Sequence, residues 1–454
     1  MKSSKAQIHS RVHSIPEMQF DDQRLTSCSG LVIFQSLFKV LELKSRLQRC
    51  FKHIGRRGIY GIHTIVMILV VHILIGHRRL RELAYYKDDP MVLRLLGLRR
   101  MPDVATITRN MGLVDMEGCD KTERVIRELV LDRLVESGCA RVTLDYDGSV
   151  YGSRRSAEGT AVGYNKLRKG ERSYYPLLCT AAQTGQVFGM HPRSGNIHDS
   201  NGSQDFIVEC VASVIERLPR ARIESRLDSA HFSEETVCLL DNLGVEFSIS
   251  VPFLRFPELK EVIQSRKRWR RIDKTWSYFE YDWAPKKWSW AFRFVIYRQT
   301  VKVKRKGALQ LDVFEPREWD YEYKAVVTNK RVSVGSLLAF HNGRGTQEGI
   351  FGELKTHCQF DYIPTRKWAA NRLYAQAAIL AHNLTREVQM RVVAPVRVTN
   401  PKRAPLWIFE TLSTIRNNII RRAGRLVRPN GHLVLTMSAN EVAQEDIRRF
   451  LSAA

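Results

Sequence analysis

Between His341 and Lys355 the chain reads HNGRGTQEGIFGELK, which sets a guanidinium, a carboxylate and an ammonium at Arg344, Glu348 and Lys355. If a helix begins at Thr346, a residue suited to cap one, the roughly 100° step per residue returns Lys355 to within about 20° of Glu348. Glu348 and Lys355 then share a face. A carboxylate flanked by two cations suits a metal ion beside a phosphodiester, because the carboxylate holds the metal while Arg and Lys take phosphate oxygens. The same spacing also fits an ordinary amphipathic helix with a solvated, ion-paired face, its apolar side made by Ile350, Phe351, Leu354 and Cys358. Glu353 is a second carboxylate in this helix, about 140° round from Glu348 and away from Lys355. Gly343 and Gly345 leave the preceding loop free to bend.

Two further stretches carry acids in positions where chemistry is conceivable. RVTLDYDGSV, from Arg141, alternates: Val142, Leu144 and Tyr146 point one way, and Thr143, Asp145 and Asp147 the other. Two carboxylates on one strand face are costly to bury without a cation, and at an exposed edge they would only be solvated. RIESRLDSAHF, from Arg222, reads as a strand ending in Asp228, which could equally cap a turn before Ser233.

Composition narrows the partner. The 454 residues exceed what one core usually organises, so two to four domains are expected. Lys and Arg number 72 against 47 Asp and Glu, giving a net charge of +25 and a pI near 9.9, which points to a polyanion. The basic residues run the whole length rather than clustering beside one apolar segment, so nucleic acid is expected and a membrane is not. The eight cysteines include no C-x-x-C pair, which fits a reducing cytoplasm without a zinc site. The opening residues lack the apolar stretch of a signal peptide.

The elements that must position these groups follow in order. Residues 1–22 read as a polar arm. An amphipathic helix is expected from Leu25, with Leu31, Phe34, Leu37, Phe38 and Leu41 at helical spacing. Ile59 to Gly76 is apolar nearly all round; its histidines and Gly61 favour a helix buried in a helical domain over a membrane span. From Val92 to Gly112, Pro102 ends one element and Asp103 can cap the next, giving a helix-turn-helix pattern with Thr106 and Arg109 near the second helix start. Arg168 and Lys169 sit in a glycine-rich basic run that could grip a DNA backbone. Strands 175–181 and 187–191, a helix 204–218, the Asp228 strand, a helix 234–243 and a strand 245–251 then follow. Three strands followed by helix, strand, helix, strand is the ribonuclease-H-like order, a mixed α/β sheet with flanking helices. Residues 252–323 are rich in Trp, Tyr and Phe alternating with cations, among them Lys302 and Lys304, and read as a strand-rich insertion. A long helix from Trp368 to Met390 closes the body. RNNIIRRAGRLVRP, from Arg416, reads as a basic segment suited to phosphates.

The Arg344, Glu348, Lys355 run resembles the motif of bacterial insertion-sequence transposases of the DDE class: Tyr, two residues, Arg, three residues, Glu, six residues, Lys. His341 stands where that family has Tyr. Asp147-Gly-Ser is similar to the family's Asp-Gly-Thr, and Arg226-Leu-Asp228-Ser to its Arg, any residue, Asp, Ser. The likeness runs from about Leu25 to Arg386, in the branch with a β-strand insertion before the glutamate. It implies that Asp147, Asp228 and Glu348 hold two Mg²⁺ or Mn²⁺ ions, with Asp145 and Glu353 in reserve. It also implies a DNA transposase that binds terminal inverted repeats, cleaves and transfers strands, acts on double-stranded DNA as a homodimer and works in the bacterial cytoplasm. His341, Arg344, Lys355, Thr106, Arg109, Arg168, Lys169, Lys302 and Lys304 become DNA-contact candidates. The expected division is an arm (1–22), a helical DNA-binding domain (23–137), a catalytic body (138–255 and 324–392), the insertion (256–323) and a basic C-terminal region (393–454). A structure-selective nuclease of the same fold, or a DNA-binding protein whose catalysis has lapsed, are the alternatives.

Overall fold

The computed structural model describes residues 16–55, 58–153, 156–163, 165, 168–197, 202–300, 321–398 and 400–452. Nine strands form its main sheet: β1 (Arg141–Gly148), β2 (Leu177–Ala181), β3 (Gln186–His191), β4 (Arg222–Leu227), β5 (Glu246–Val251), β6 (Arg270–Arg271), β7 (Trp276–Trp283), β8 (Phe292–Thr300) and β9 (Tyr321–Thr328). Helices α1 (Ile62–Leu74) and α2 (Met116–Glu136) precede the sheet. Helices α3 (Ser203–Arg217) and α4 (Glu234–Asn242) connect its parallel strands, and α5 (Val334–Asn342), α6 (Thr346–Thr356) and α7 (Trp368–Val392) follow it.

The strands lie in the order β6-β7-β8-β9-β5-β4-β1-β2-β3. From β3 to β5 this is the ribonuclease-H-like arrangement, with β1 antiparallel to β2, and β4 parallel to both β1 and β5. Gly185, at φ +61°, supplies the left-handed residue that closes the β2–β3 hairpin. The aromatic strands after residue 270 do not form a sheet of their own. They continue the same sheet, antiparallel, beyond β9.

The alternation of β1 holds, and its two faces meet different surroundings. Val142, Leu144 and Tyr146 join Cys179, Phe188, Val211, Val237, Leu240 and Phe247 in an apolar core under α3 and α4. The opposite face of β1 and β4 is polar and still buried. There Glu224 takes Thr143 Oγ1 at 2.8 Å, Lys330 Nζ at 2.7 Å and Arg403 Nε at 2.7 Å. Burial works against its charge, yet Arg403 and Lys330 draw the Glu224 carboxyl down to about 2.

The helical region before the sheet shares one core with α7 and with residues near the C-terminal end. Phe34, Leu37, Val66, Leu69, Ile379, Leu380, Ile415, Ile447 and Phe450 all belong to it. Leu25 and Thr26, expected to start a helix, instead pair as a short strand with Arg425 and Gly424; the helix begins at Val32. Helix α1 is buried almost all round because α7 packs along it, which explains its lack of a polar face. At 13 residues it is too short to cross a bilayer. Among the described residues no helix is long and apolar enough to do so. Its His72 donates or accepts at 2.7 Å from the Tyr86 hydroxyl, and burial draws the imidazole down to about 3.

The last carbonyls of a buried helix need donors. Arg416 gives Nε to Leu74 O at 2.9 Å and Nη2 to Ile73 O at 3.0 Å, and Arg421 Nη2 reaches Ile75 O at 2.9 Å. The basic segment expected to face phosphates thus spends these two arginines on the end of α1. Arg416→Ala leaves Leu74 O and the partly buried His357 O without this donor, while Ile73 O keeps the Gly76 N–H at 3.0 Å, and is expected to cost about 1–3 kcal/mol in denaturant unfolding.

Candidate metal and phosphate site

In parallel strands β1 and β4 the register pairs Thr143 with Glu224, Asp145 with Arg226 and Tyr146 with Leu227. Asp147 and Asp228 come next, one residue past that last pair, at the C-terminal ends of neighbouring strands and on the polar face. Asp147 is 22% exposed and Asp228 29%. Burial pushes the Asp147 carboxyl up to about 6, helped by the negative charge of Asp228 and opposed by Arg344. Asp228 Oδ1 accepts the Ala230 N–H at 3.1 Å, so the turn-capping role expected as its alternative is also realised.

The third acid arrives on α6. Residues 343–345 form a single 3-10 turn, so α5 runs into α6 without a break and Thr346 caps nothing. Gly345 keeps right-handed helical angles, φ −55° and ψ −16°. The expected flexible loop is therefore helical. Gly343 is needed for closeness instead: a Cβ there would lie 2.0 Å from Lys402 O and 2.1 Å from Arg226 Nη1. Gln347 Nε2 donates to Asp145 O at 2.8 Å and fastens the start of α6 to β1. The neighbouring Glu348 is exposed, and its side chain has no hydrogen-bond or ion-pair partner among the described residues. Arg344 Nη1 meets Asp147 Oδ2 at 2.7 Å. Lys355 is partly buried, which lowers its ammonium against the pull of Asp361 and Asp147.

The reserve acids have other partners. Asp145 is 2% exposed and gripped on both oxygens by Arg226, Nε at 2.5 Å and Nη2 at 2.7 Å. Glu353 is buried against Arg386 and accepts the Leu412 N–H at 2.8 Å. His341, expected near DNA, is 3% exposed and bridges Ser248 Oγ at 3.0 Å and Ser250 Oγ at 2.9 Å from β5. Burial, with Lys324 and Arg344 nearby, draws it down to about 3, so it is a neutral spacer between α5 and the sheet. Asp103 does cap the helix Val104–Met111, accepting Thr106 N at 2.6 Å, and Arg109 is exposed on that helix. Thr106 is half-buried beside it, while Arg168 and Lys169 are exposed in their loop. Lys302 and Lys304 lie outside the described residues.

Asp147, Asp228 and Glu348 offer only oxygen, the donor set of a hard divalent cation. Burial raises Asp147 most, and the repulsion from Asp228 that adds to it is what such a cation would relieve. With Arg344 on Asp147, the oxygens of the three acids do not all lie within 4.8 Å of one another. The group among the described residues that does meet that spacing is His53, Asp115 and Glu117, exposed on the helical region. Asp115 caps α2 there through Gly118 N and pairs with His53, and Glu117 binds Lys121.

A raised carboxyl fixes the pH dependence. Its folded value, about 6, lies above that of an ordinary aspartate, so the native state holds this proton more tightly. Asp147 therefore favours the fold most at low pH, and that contribution fades as pH rises through about 6. A cation competes with the same proton, so the Mn²⁺-induced rise in melting temperature is expected to be small at pH 5 and to grow through pH 6 to 7. Thermal melts with and without Mn²⁺ across that range check it, and Asp147→Asn should flatten the trend.

A family model described as transposase DDE domain group 1 matches residues 11–453. No curated protein matches the chain. Among solved structures, a piggyBac transposase synaptic complex with hairpin DNA superposes with a TM-score of 0.38 at 14% identity, covering 86% of this chain and 80% of that one. A Mos1 transposase paired-end complex with left transposon end gives 0.18 at 8% identity, over 42% of this chain and 60% of that one.

Proposed function

Because this chain belongs to the transposase DDE domain group 1 family, it is a DNA transposase, and we propose that Asp147, Asp228 and Glu348 are the acids that hold its metal ions. DNA cleavage and strand transfer with divalent metal are the family's chemistry; the assignment of residues, of two Mg²⁺ or Mn²⁺ ions and of a homodimer on DNA is our reading. The placement of Asp147 and Asp228 side by side past the last paired residues of β1 and β4 carries it.

Two bound ions would supply activation of a water or DNA 3′-hydroxyl and stabilisation of the leaving oxygen during in-line displacement at phosphorus. The chain's own part is positioning. Asp228 is oriented by the Ala230 N–H, and Glu348 stands in the first turn of α6, next to Gln347, which ties that turn to β1. Arg344 neutralises Asp147 when no phosphate is present; a phosphodiester offers it an equivalent anion, and its transfer there frees Asp147 Oδ2. Lys355 is the second cation on this side. We assign recognition of terminal inverted repeats to residues 23–137, with Thr106 and Arg109 as contacts, give Arg168 and Lys169 in the catalytic body a grip on the DNA backbone, and assign the protein to the bacterial cytoplasm.

The test uses the full chain, a labelled duplex carrying the inverted repeat that flanks its gene, a target plasmid and Mg²⁺ or Mn²⁺. Nicking at the repeat boundary followed by covalent joining of the labelled end to plasmid is expected. Hydrolysis with no joined product would leave a structure-selective nuclease. Recognition is tested by Arg109→Ala rather than by deleting residues 23–137, because those residues share a core with α7.

A further inference from the structure

The middle row of the polar sheet face, between the Glu224 cluster and the acids, consists of Asp145, Arg226 and Ser248, paired in register across β1, β4 and β5. Arg226 is fully buried and belongs to none of the chemistry proposed above. Its guanidinium makes four hydrogen bonds to three separate parts of the chain. Two go to Asp145 on β1; Nη1 makes the others, to Phe340 O in α5 at 2.9 Å and to Lys402 O at 2.8 Å.

Each of the acid-bearing elements is tied to this one group. Arg226 lies two residues before Asp228 on the same strand face, so whatever fixes its side chain fixes the end of β4. Asp145 lies two residues before Asp147 on β1 in the same relation. Phe340 lies in the last turn of α5, which runs without a break into the turn and helix that carry Glu348, and its ring also lies 5.3 Å under the guanidinium. Gly343, in that junction, has no room for a side chain because Arg226 Nη1 and Lys402 O occupy it. A buried ion pair adds little net stability over an apolar pair of the same volume. What a planar five-donor fork adds is a fixed geometry among its acceptors, which an ammonium cannot reproduce.

We propose that Arg226 is the positioning residue of this site, its buried guanidinium setting the spacing of Asp147, Asp228 and Glu348 by holding β1, β4 and the α5–α6 junction to one another. The inference rests on the acid assignment made above. It implies that the metal affinity of the site depends on a residue that touches neither metal nor DNA, as groups that orient ligands commonly change affinity by about 10–100-fold.

Arg226→Lys keeps the charge opposite Asp145 and removes the fork. Mn²⁺ titrated alone into the full chain, with free Mn²⁺ read by electron paramagnetic resonance, is expected to bind at least tenfold more weakly than in the parent. Cleavage of the terminal-repeat duplex should fall and be restored by raising Mn²⁺ at an unchanged folded fraction, read by circular dichroism at each Mn²⁺ concentration, whereas rescue of a folding defect would raise the folded fraction with it. Gly343→Ala, which displaces the clamp without altering any charge, should act in the same direction and serves if Arg226→Lys does not fold. A folded Arg226→Lys or Gly343→Ala with parental Mn²⁺ affinity, while Asp147→Asn loses it, overturns the positioning role alone. Unchanged Mn²⁺ binding in Asp147→Asn overturns the acid assignment, and this proposal with it.

Discussion

Exchanging Glu348 for Gln is expected to lower metal-dependent cleavage by about three orders of magnitude or more while leaving repeat binding and stability where they were. A metal ligand supplies several kcal/mol of transition-state stabilisation, and each 1.4 kcal/mol is tenfold in rate, so about 10³ is the lower bound. Stability should move by less than about 0.5 kcal/mol, because the side chain is exposed and unpaired among the described residues and Gln keeps its shape. Binding should persist, since Arg344, Lys355 and the basic surface are untouched. Single-turnover cleavage of a labelled terminal-repeat duplex at matched occupancy decides the matter. A variant cutting within tenfold of the parent would remove Glu348 from the triad.

Glu353→Gln should fail in the opposite way, through folding. Glu353 is 6% exposed and faces Arg386, itself 8% exposed and stacked 4.3 Å over Phe409. Loss of the carboxylate leaves a buried guanidinium with no counter-charge, which costs about 3–5 kcal/mol. Denaturant unfolding should show that loss, and cleavage per folded molecule should stay near the parental rate. Equal stability with abolished cleavage would exchange the roles of the two glutamates.

This pair shows how far the sequence reaches. Helical phase alone separates Glu353 from Glu348 and Lys355, and the structure agrees, turning Glu353 inward. That it meets Arg386 and the Leu412 N–H could not be read, because both partners lie more than thirty residues further along the chain. The sheet order was legible for a local reason: strand and helix periods alternate cleanly from Arg141 to Val251. The alternation of β1 also placed Asp145 and Asp147 on one face, but periodicity does not say whether a polar face meets water, metal or buried cations. Arg226 was visible only as part of a motif, though its position two residues before Asp228 put it on the acid's face. His341 fell where the resemblance suggested a DNA contact, and only the third dimension shows Ser248 and Ser250 enclosing it. Thr346 misled because a cap residue is informative only where a helix starts, and here none does.

The pairing of Leu25 with Arg425, and the seal that Arg416 puts on α1, give the molecule an order of assembly in time. During synthesis the apolar helix Ile62–Leu74 leaves the ribosome long before α7 can cover it and before the donors for its last carbonyls exist. The early chain must therefore wait, exposed, in a state that chaperones and proteases recognise. A chain interrupted after residue 392 would carry all three acids and still lack the residues that complete the helical core. Such a product is expected to keep its helical core open and to be cut faster by added protease than the full chain.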